Sequence, residues 1–381
     1  MRLKSKLTSC LVLGILMVTA IPALADGNLS LTGDVWAKYF YDISNGGPSG
    51  STYVGNNGFD LYRADLKGNY KFNDTYNATL MFDGANRFIT NGVTPTVSVA
   101  NMVYVREAYV SANWWTGGHM SFGLQPGFYT STVDGATHTR WLAQDLAFTG
   151  GFMNEENAGV SFNGTCWNNQ IGYSVMAQNG TEGFGAPADN ALAFDIGVDI
   201  MPFGGMEGAM SKLGLTVVDQ VQQSAAGQIA GISTGGGGTP GTNALTAALH
   251  WTNAWVDGAL EYAMMSYDSG ANSSSAFGGN VNVKFMDDWT VFARYITGND
   301  TFTGNNGGAH GYAPNLGMDG AISPSTAPGV LGYKSVLTVG PTYSLVKDKI
   351  TTAILFTTAA ANSNSGNDAT TSISWNWGAS F

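Results

Sequence analysis

A sixteen-stranded antiparallel β-barrel that crosses a membrane is the fold class this sequence predicts, and three observations predict it. Apolar and polar residues alternate with a period of two along most of the chain, as in strands whose faces meet different surroundings. Tight turns alternate with long loops between these segments, as when hairpins stand side by side around a barrel. Charge is also scarce: only 11% of 381 residues are charged, well below the roughly 25% of ordinary soluble domains. Gly (52) and aromatics (19 Phe, 16 Tyr, 10 Trp) are both abundant.

The chain opens on Arg2, Lys4 and Lys6, an apolar stretch from Leu11 to Ala20, and Ala23-Leu24-Ala25 before Asp26. A basic start, a short apolar run and an A-x-A site describe a signal peptide over 1–25, and export of 26–381. Cleavage removes three positive charges, so the mature balance is 13 − 27 = −14. Such an acidic chain is no candidate for nucleic acid, because little is available to neutralise phosphates. Cys166 is then the single cysteine and cannot staple the chain to itself. No later segment offers about 18 uninterrupted apolar residues, so helical spans are excluded.

The first strand reads most clearly. Leu29, Leu31, Val35, Ala37, Tyr39 and Tyr41 share one face, and Ser30, Thr32, Asp34 and Lys38 the other. The same pattern places strands near 28–43, 59–72, 75–85, 104–114, 118–125, 157–165, 169–178 and 191–203. Eight more follow near 212–222, 242–252, 255–267, 276–286, 289–297, 331–345, 350–360 and 370–381. Short connections fall at residues such as Asn73-Asp74, Asn253-Ala254 and Asp287-Asp288. Long ones run at 44–58, 86–103, 126–156, 179–190, 223–241, 268–275, 298–330 and 361–369.

The membrane explains the composition. Lipid leaves no partner for an open strand edge, so a spanning sheet must close on itself. Its outer face is apolar and its inner face polar, with Tyr and Trp gathered at the two interfaces. Tyr39, Tyr70, Trp114, Trp115, Trp255, Trp289, Trp375 and Trp377 all lie near expected strand ends.

Two segments carry a resemblance. Val105-Arg106-Glu107-Ala108-Tyr109-Val110, a turn and Met120-Ser121-Phe122-Gly123-Leu124-Gln125-Pro126 resemble the EAYV…GLQ strand pair of Gram-negative porins. The terminal Trp375-Asn376-Trp377-Gly378-Ala379-Ser380-Phe381 is similar to the signal read by the outer-membrane assembly machinery, with Phe381 as its last residue. The resemblance implies a water-filled, usually trimeric, sixteen-stranded channel of the general-diffusion type in the outer membrane. It also implies that the third long loop, here 126–156, folds inward and narrows the bore.

If that loop folds inward, Asp134, His138, Arg140, Asp145, Glu155 and Glu156 face the pore as its constriction. Inward parity assigns Lys38, Arg63, Lys67, Lys284, Arg294 and Lys334 to the pore wall, with Asp34, Asp65, Asp83, Glu107, Asp195, Asp199, Asp257 and Glu261. Acids set against bases across a bore orient passing solutes. Arg106 and Glu107 are neighbours, and simple alternation sends them to opposite faces. Either Arg106 snorkels towards the long-loop end or a bulge turns it inward. The acidic total favours a weak preference for cations.

Catalysis is not expected. Four histidines (His119, His138, His250 and His310) stand apart in sequence, with no G-x-S-x-G and no H-E-x-x-H. No cofactor, haem or metal motif is present. The expected function is therefore passive passage of ions and small hydrophilic solutes. Two rivals stay open: a substrate-preferring channel, marked by an inward line of bases or aromatics, and a structural barrel that scaffolds partner proteins.

Overall fold

The computed structural model describes residues 28–44, 57–90, 97–137, 141–142, 145–149, 152–153, 155–182, 192–204, 210, 212–222, 242–267, 274–298, 333–347, 349–361 and 369–381. The expected leader at 1–25 and the pore residues His138 and Arg140 lie outside them.

Alternation becomes strand from end to end. The strands are β1 (Leu29–Ser44), β2 (Asn57–Lys71), β3 (Tyr76–Thr90), β4 (Val97–Trp115), β5 (Gly118–Pro126), β6 (Glu156–Cys166), β7 (Ile171–Glu182) and β8 (Ala193–Ile200). Then follow β9 (Gly214–Gln222), β10 (Thr242–Thr252), β11 (Val256–Tyr267), β12 (Ser274–Lys284), β13 (Trp289–Gly298), β14 (Tyr333–Val346), β15 (Ile350–Ala361) and β16 (Thr370–Ser380). Each pairs antiparallel with its chain neighbours, and β1 pairs with β16, so the barrel is closed and has no edge. Its seam is sealed at Phe381, whose N–H and C=O exchange hydrogen bonds with Gly33 at 3.0 and 3.1 Å.

Most boundaries fall within two or three residues of the sequence expectation. β7 runs four residues past its expected end, to Glu182, and the largest departure is the loop expected at 86–103. There β3 runs on to Thr90 and β4 starts at Val97, with Asn86 opposite Asn101 and Thr90 opposite Val97. Backbone pairing across a hairpin continues there although the Asn86-Arg87 step breaks the apolar alternation.

The burial pattern is that of a protein turned inside out. Phe122, Ile196 and Leu260 point outward and are 65, 57 and 56% exposed. Lys38, Asp83, Glu107, Asp195, Glu261 and Arg294 point inward and are buried. A water-soluble barrel exposing such a continuous apolar surface would aggregate, whereas lipid tails cover it at no cost. The short turns use local chemistry. Asn73 accepts the N–H groups of Thr75 and Tyr76, and Asn253 those of Trp255 and Val256, at 2.7–2.8 Å.

Candidate functional site

The segment after β5 enters the barrel and crosses it. Its first aromatic, Phe128, rests where Gly172 of β7 and Gly197 of β8 leave room on the lumen face. Tyr129, Val133, Ala147 and Met153 then pack on Val218, Ala248 and Ala259. Leu146 and Phe152 pack on Ala244, Ala263, Met265 and Ile296. Trp141 and Leu142 reach Phe292, Ala353 and Leu355. Half of these wall residues are Ala, at positions that must face inward. That is how a lumen makes space for a folded loop.

Polar contacts fix the loop at defined points. Glu261 on β11 is the principal one: its Oε2 accepts the Tyr129 hydroxyl at 2.6 Å and the Leu146 N–H at 2.9 Å. Both limbs of the loop thus meet on one buried carboxylate. Burial, and then the Glu261 carboxylate, push the Tyr129 phenol well above its ordinary pKa, so it remains a donor. Thr252 at the end of β10 donates to the Ala136 carbonyl, and Thr246 donates to the Met153 sulfur at 3.2 Å.

The root of the loop is held by charge. A β-bulge in β4 sets Glu107 opposite Met81 and Val105 opposite Phe82, leaving Arg106 as the extra residue. Because a bulge inserts one residue into the alternation, Arg106 and Glu107 both face the lumen. The bulge alternative is therefore the one the fold adopts, and Arg106 avoids lipid. Its guanidinium pairs with Glu156, with Glu155 at 3.1 Å and with Asp65 at 3.9 Å. Arg63 pairs with Asp83 at 3.0 Å and Glu155 at 3.7 Å, and Lys67 with Glu107 at 2.8 Å. The cluster holds three bases and five carboxylates, 3 − 5 = −2, if all are ionised.

The structure thus links Arg63, Asp83 and Glu155 in one network with Arg106 on β2–β4 and the loop root, and sets the Lys67–Glu107 pair beside it on the same strands. Asp134 ends the helical turn Thr130–Asp134. Asp145 is buried just before the turn Leu146–Thr149. Lys38 and Arg294 are buried on the lumen faces of β1 and β13; Lys38 lies two residues along β1 from Trp36, the cross-strand partner of Arg63, and Arg294 stands across the barrel on β13. Phe381 lies on the outer face at the seam, 54% exposed. On the lumen face of β8 to β10, Asp199 accepts from Thr216 at 3.0 Å and lies 2.9 Å from His250 Nε2. Sequence reasoning placed Glu261 on the inner wall but not as the anchor of the loop. Its partners are 132 and 115 residues away, beyond any local signal.

No protein-family model and no curated protein matches the chain. Solved structures do. Salmonella typhi OmpF in complex with daunomycin superposes with a TM-score of 0.57 at 13% identity, covering 93% of this chain and 98% of that one. An anion-selective porin from Comamonas acidovorans gives 0.57 at 11% identity, covering 93% and 99%. OmpT of Vibrio cholerae, with its loop L8 deleted, gives 0.55 at 11%, with the same two coverages as the Comamonas protein. At these identities the likeness is one of fold: a closed sixteen-stranded barrel of the kind porins have.

Proposed function

We propose that this chain is an outer-membrane porin: a water-filled channel through which ions and small hydrophilic solutes diffuse passively. The observation that carries the reading is the lumen itself. A closed barrel is apolar outside and polar inside, and a loop anchored across it narrows the bore between fixed charges. Large pores of this kind need no tight binding site, because solutes keep most of their hydration. The similarity in fold to porins supports the same reading.

A weak preference for cations belongs to the proposal. The network at the loop root carries two more carboxylates than bases. Asp195, Asp199, Glu261 and the loop's Asp134 and Asp145 add acid on the opposite side, where the described residues of β8–β13 carry the inward bases Arg294 and, at the turn end of β12, Lys284. In a narrow bore such an excess raises the local concentration of cations. The proposal also includes export by the leader at 1–25, recognition of the terminal Phe381 by the outer-membrane assembly machinery, and assembly as a homotrimer in outer-membrane lipid.

The zero-current potential of refolded protein in a planar bilayer under a KCl gradient tests the reading. A potential of the sign set by potassium is expected, and it should shrink when Asp134 and Asp145 are both replaced by Asn. A chloride-type potential would overturn the cation preference while leaving the channel intact.

A further inference from the structure

One strand breaks the rule that keeps charge off the outer wall. In β9, Val218 packs inward on the loop, and Gln220 faces inward to donate to Asp195 at 3.0 Å. Asp219 between them therefore faces out, where its cross-strand partners are Ile196 of β8 and Leu245 of β10. Among the described side chains that point outward away from strand ends, Asp219 is the only charged one, so no described base on that face can pair with it. A carboxylate turned to hydrocarbon is costly, and an ionisable residue in such a place ordinarily marks a partner.

Its depth says what kind of partner. β9 ends three residues further on, at Gln222, so Asp219 belongs to the long-loop half of the wall. One outward step towards the loops, Asn243 of β10 stands opposite Ser266 of β11, and Ser275, Thr297 and Ser335 continue the outward polar positions over β12–β14. This row marks the end of the apolar band, and Asp219 lies about 7 Å along the strand beneath it. A carboxylate there comes within reach of lipid phosphates. Two anions meet only across a cation, and Ca²⁺ takes about six to eight oxygen ligands. The wall offers two, the Asp219 carboxylate and, diagonally across the strand pair, the exposed Asn243 amide oxygen. Two are too few to hold the ion alone, and among the described residues no three acidic, His or Cys side chains form a metal site. Lipid phosphates supply the missing ligands.

We propose that Asp219 and Asn243 form a docking site on the outer wall for a phosphorylated lipid, held through a bridging divalent cation. The inference rests on the outer-membrane reading only for which leaflet supplies the lipid, and binding is measured without current.

Lipid A is the probe. Its binding to the detergent-folded barrel, read by native mass spectrometry, should saturate with Ca²⁺ and disappear in EDTA, whereas Ca²⁺ without lipid should not be retained. Asp219→Asn should weaken binding about tenfold and remove its Ca²⁺ dependence, with Asn243→Ala in between. Asp74→Asn, in an exposed turn at the other end of the barrel, should bind as the parent does. Inorganic phosphate should not displace lipid A, because it lacks acyl chains to cover Ile196 and Val221. Heat-modifiability on gels confirms that each variant is a folded barrel. Ca²⁺-dependent binding that is unchanged in folded Asp219→Asn overturns the site, as does binding that ignores EDTA. Displacement by inorganic phosphate overturns the lipid as occupant. Binding that depends on Asp219 in a barrel that passes no current supports the site and removes the channel reading instead.

Discussion

Glu261→Ala removes the one acceptor shared by both limbs of the inserted loop. The Tyr129 hydroxyl and the Leu146 N–H, each buried, then have lost the oxygen they hold at 2.6 and 2.9 Å. A buried donor left without its acceptor costs about 1–3 kcal/mol, so the seated loop should lose roughly 2–6 kcal/mol relative to an unseated one. Even the lower figure is about thirtyfold in the ratio of seated to unseated loop. Glu261→Gln provides the control. Its amide oxygen can still accept both hydrogen bonds, so only the charge-assisted part is lost, roughly 1 kcal/mol. The strand ladder around position 261 is backbone-made and should stay intact in both variants. In single-channel recordings Glu261→Ala should flicker and show a raised mean conductance, while Glu261→Gln stays close to the parent. A quiet, unaltered trace from heat-modifiable Glu261→Ala would refute the idea that this carboxylate seats the loop.

Other perturbations have equally definite outcomes. Arg106→Ala removes the guanidinium that Glu155, Glu156 and Asp65 share, and losing one member of such a buried pairing costs about 3–5 kcal/mol. The barrel's heat-modification temperature should fall and its cation preference rise, readable on gels and as a zero-current potential. Gly33→Val places a side chain where a Cβ alone would lie 2.6 Å from the Phe381 ring. Refolding into vesicles should then leave a larger unclosed fraction, and the Gly33→Val, Phe381→Ala double variant should recover part of it, because the ring that blocks the seam is gone.

The strand faces were legible in the sequence because a period of two is a local property. Leu29, Leu31 and Val35 against Thr32, Asp34 and Lys38 need nothing from the rest of the chain. The face of Arg106 was not legible, since the bulge that turns it inward depends on how β4 registers against Met81 and Phe82 of β3. The seat of the loop did leave a trace. Ala244, Ala248, Ala259 and Ala263 occupy inward positions where a wet wall would carry longer polar side chains, and small residues there mark the space the loop fills.

The most direct measurement compares the single-channel conductance of the intact protein with that of a variant whose residues 130–152 are replaced by a short Gly-Ser turn. The intact barrel should open in discrete steps, and the shortened one in larger steps of the same kind, because the obstruction is gone while the wall remains. Correctly folded, heat-modifiable barrels that pass no current, or a shortened loop that leaves the step size unchanged, would contradict a loop-narrowed diffusion channel.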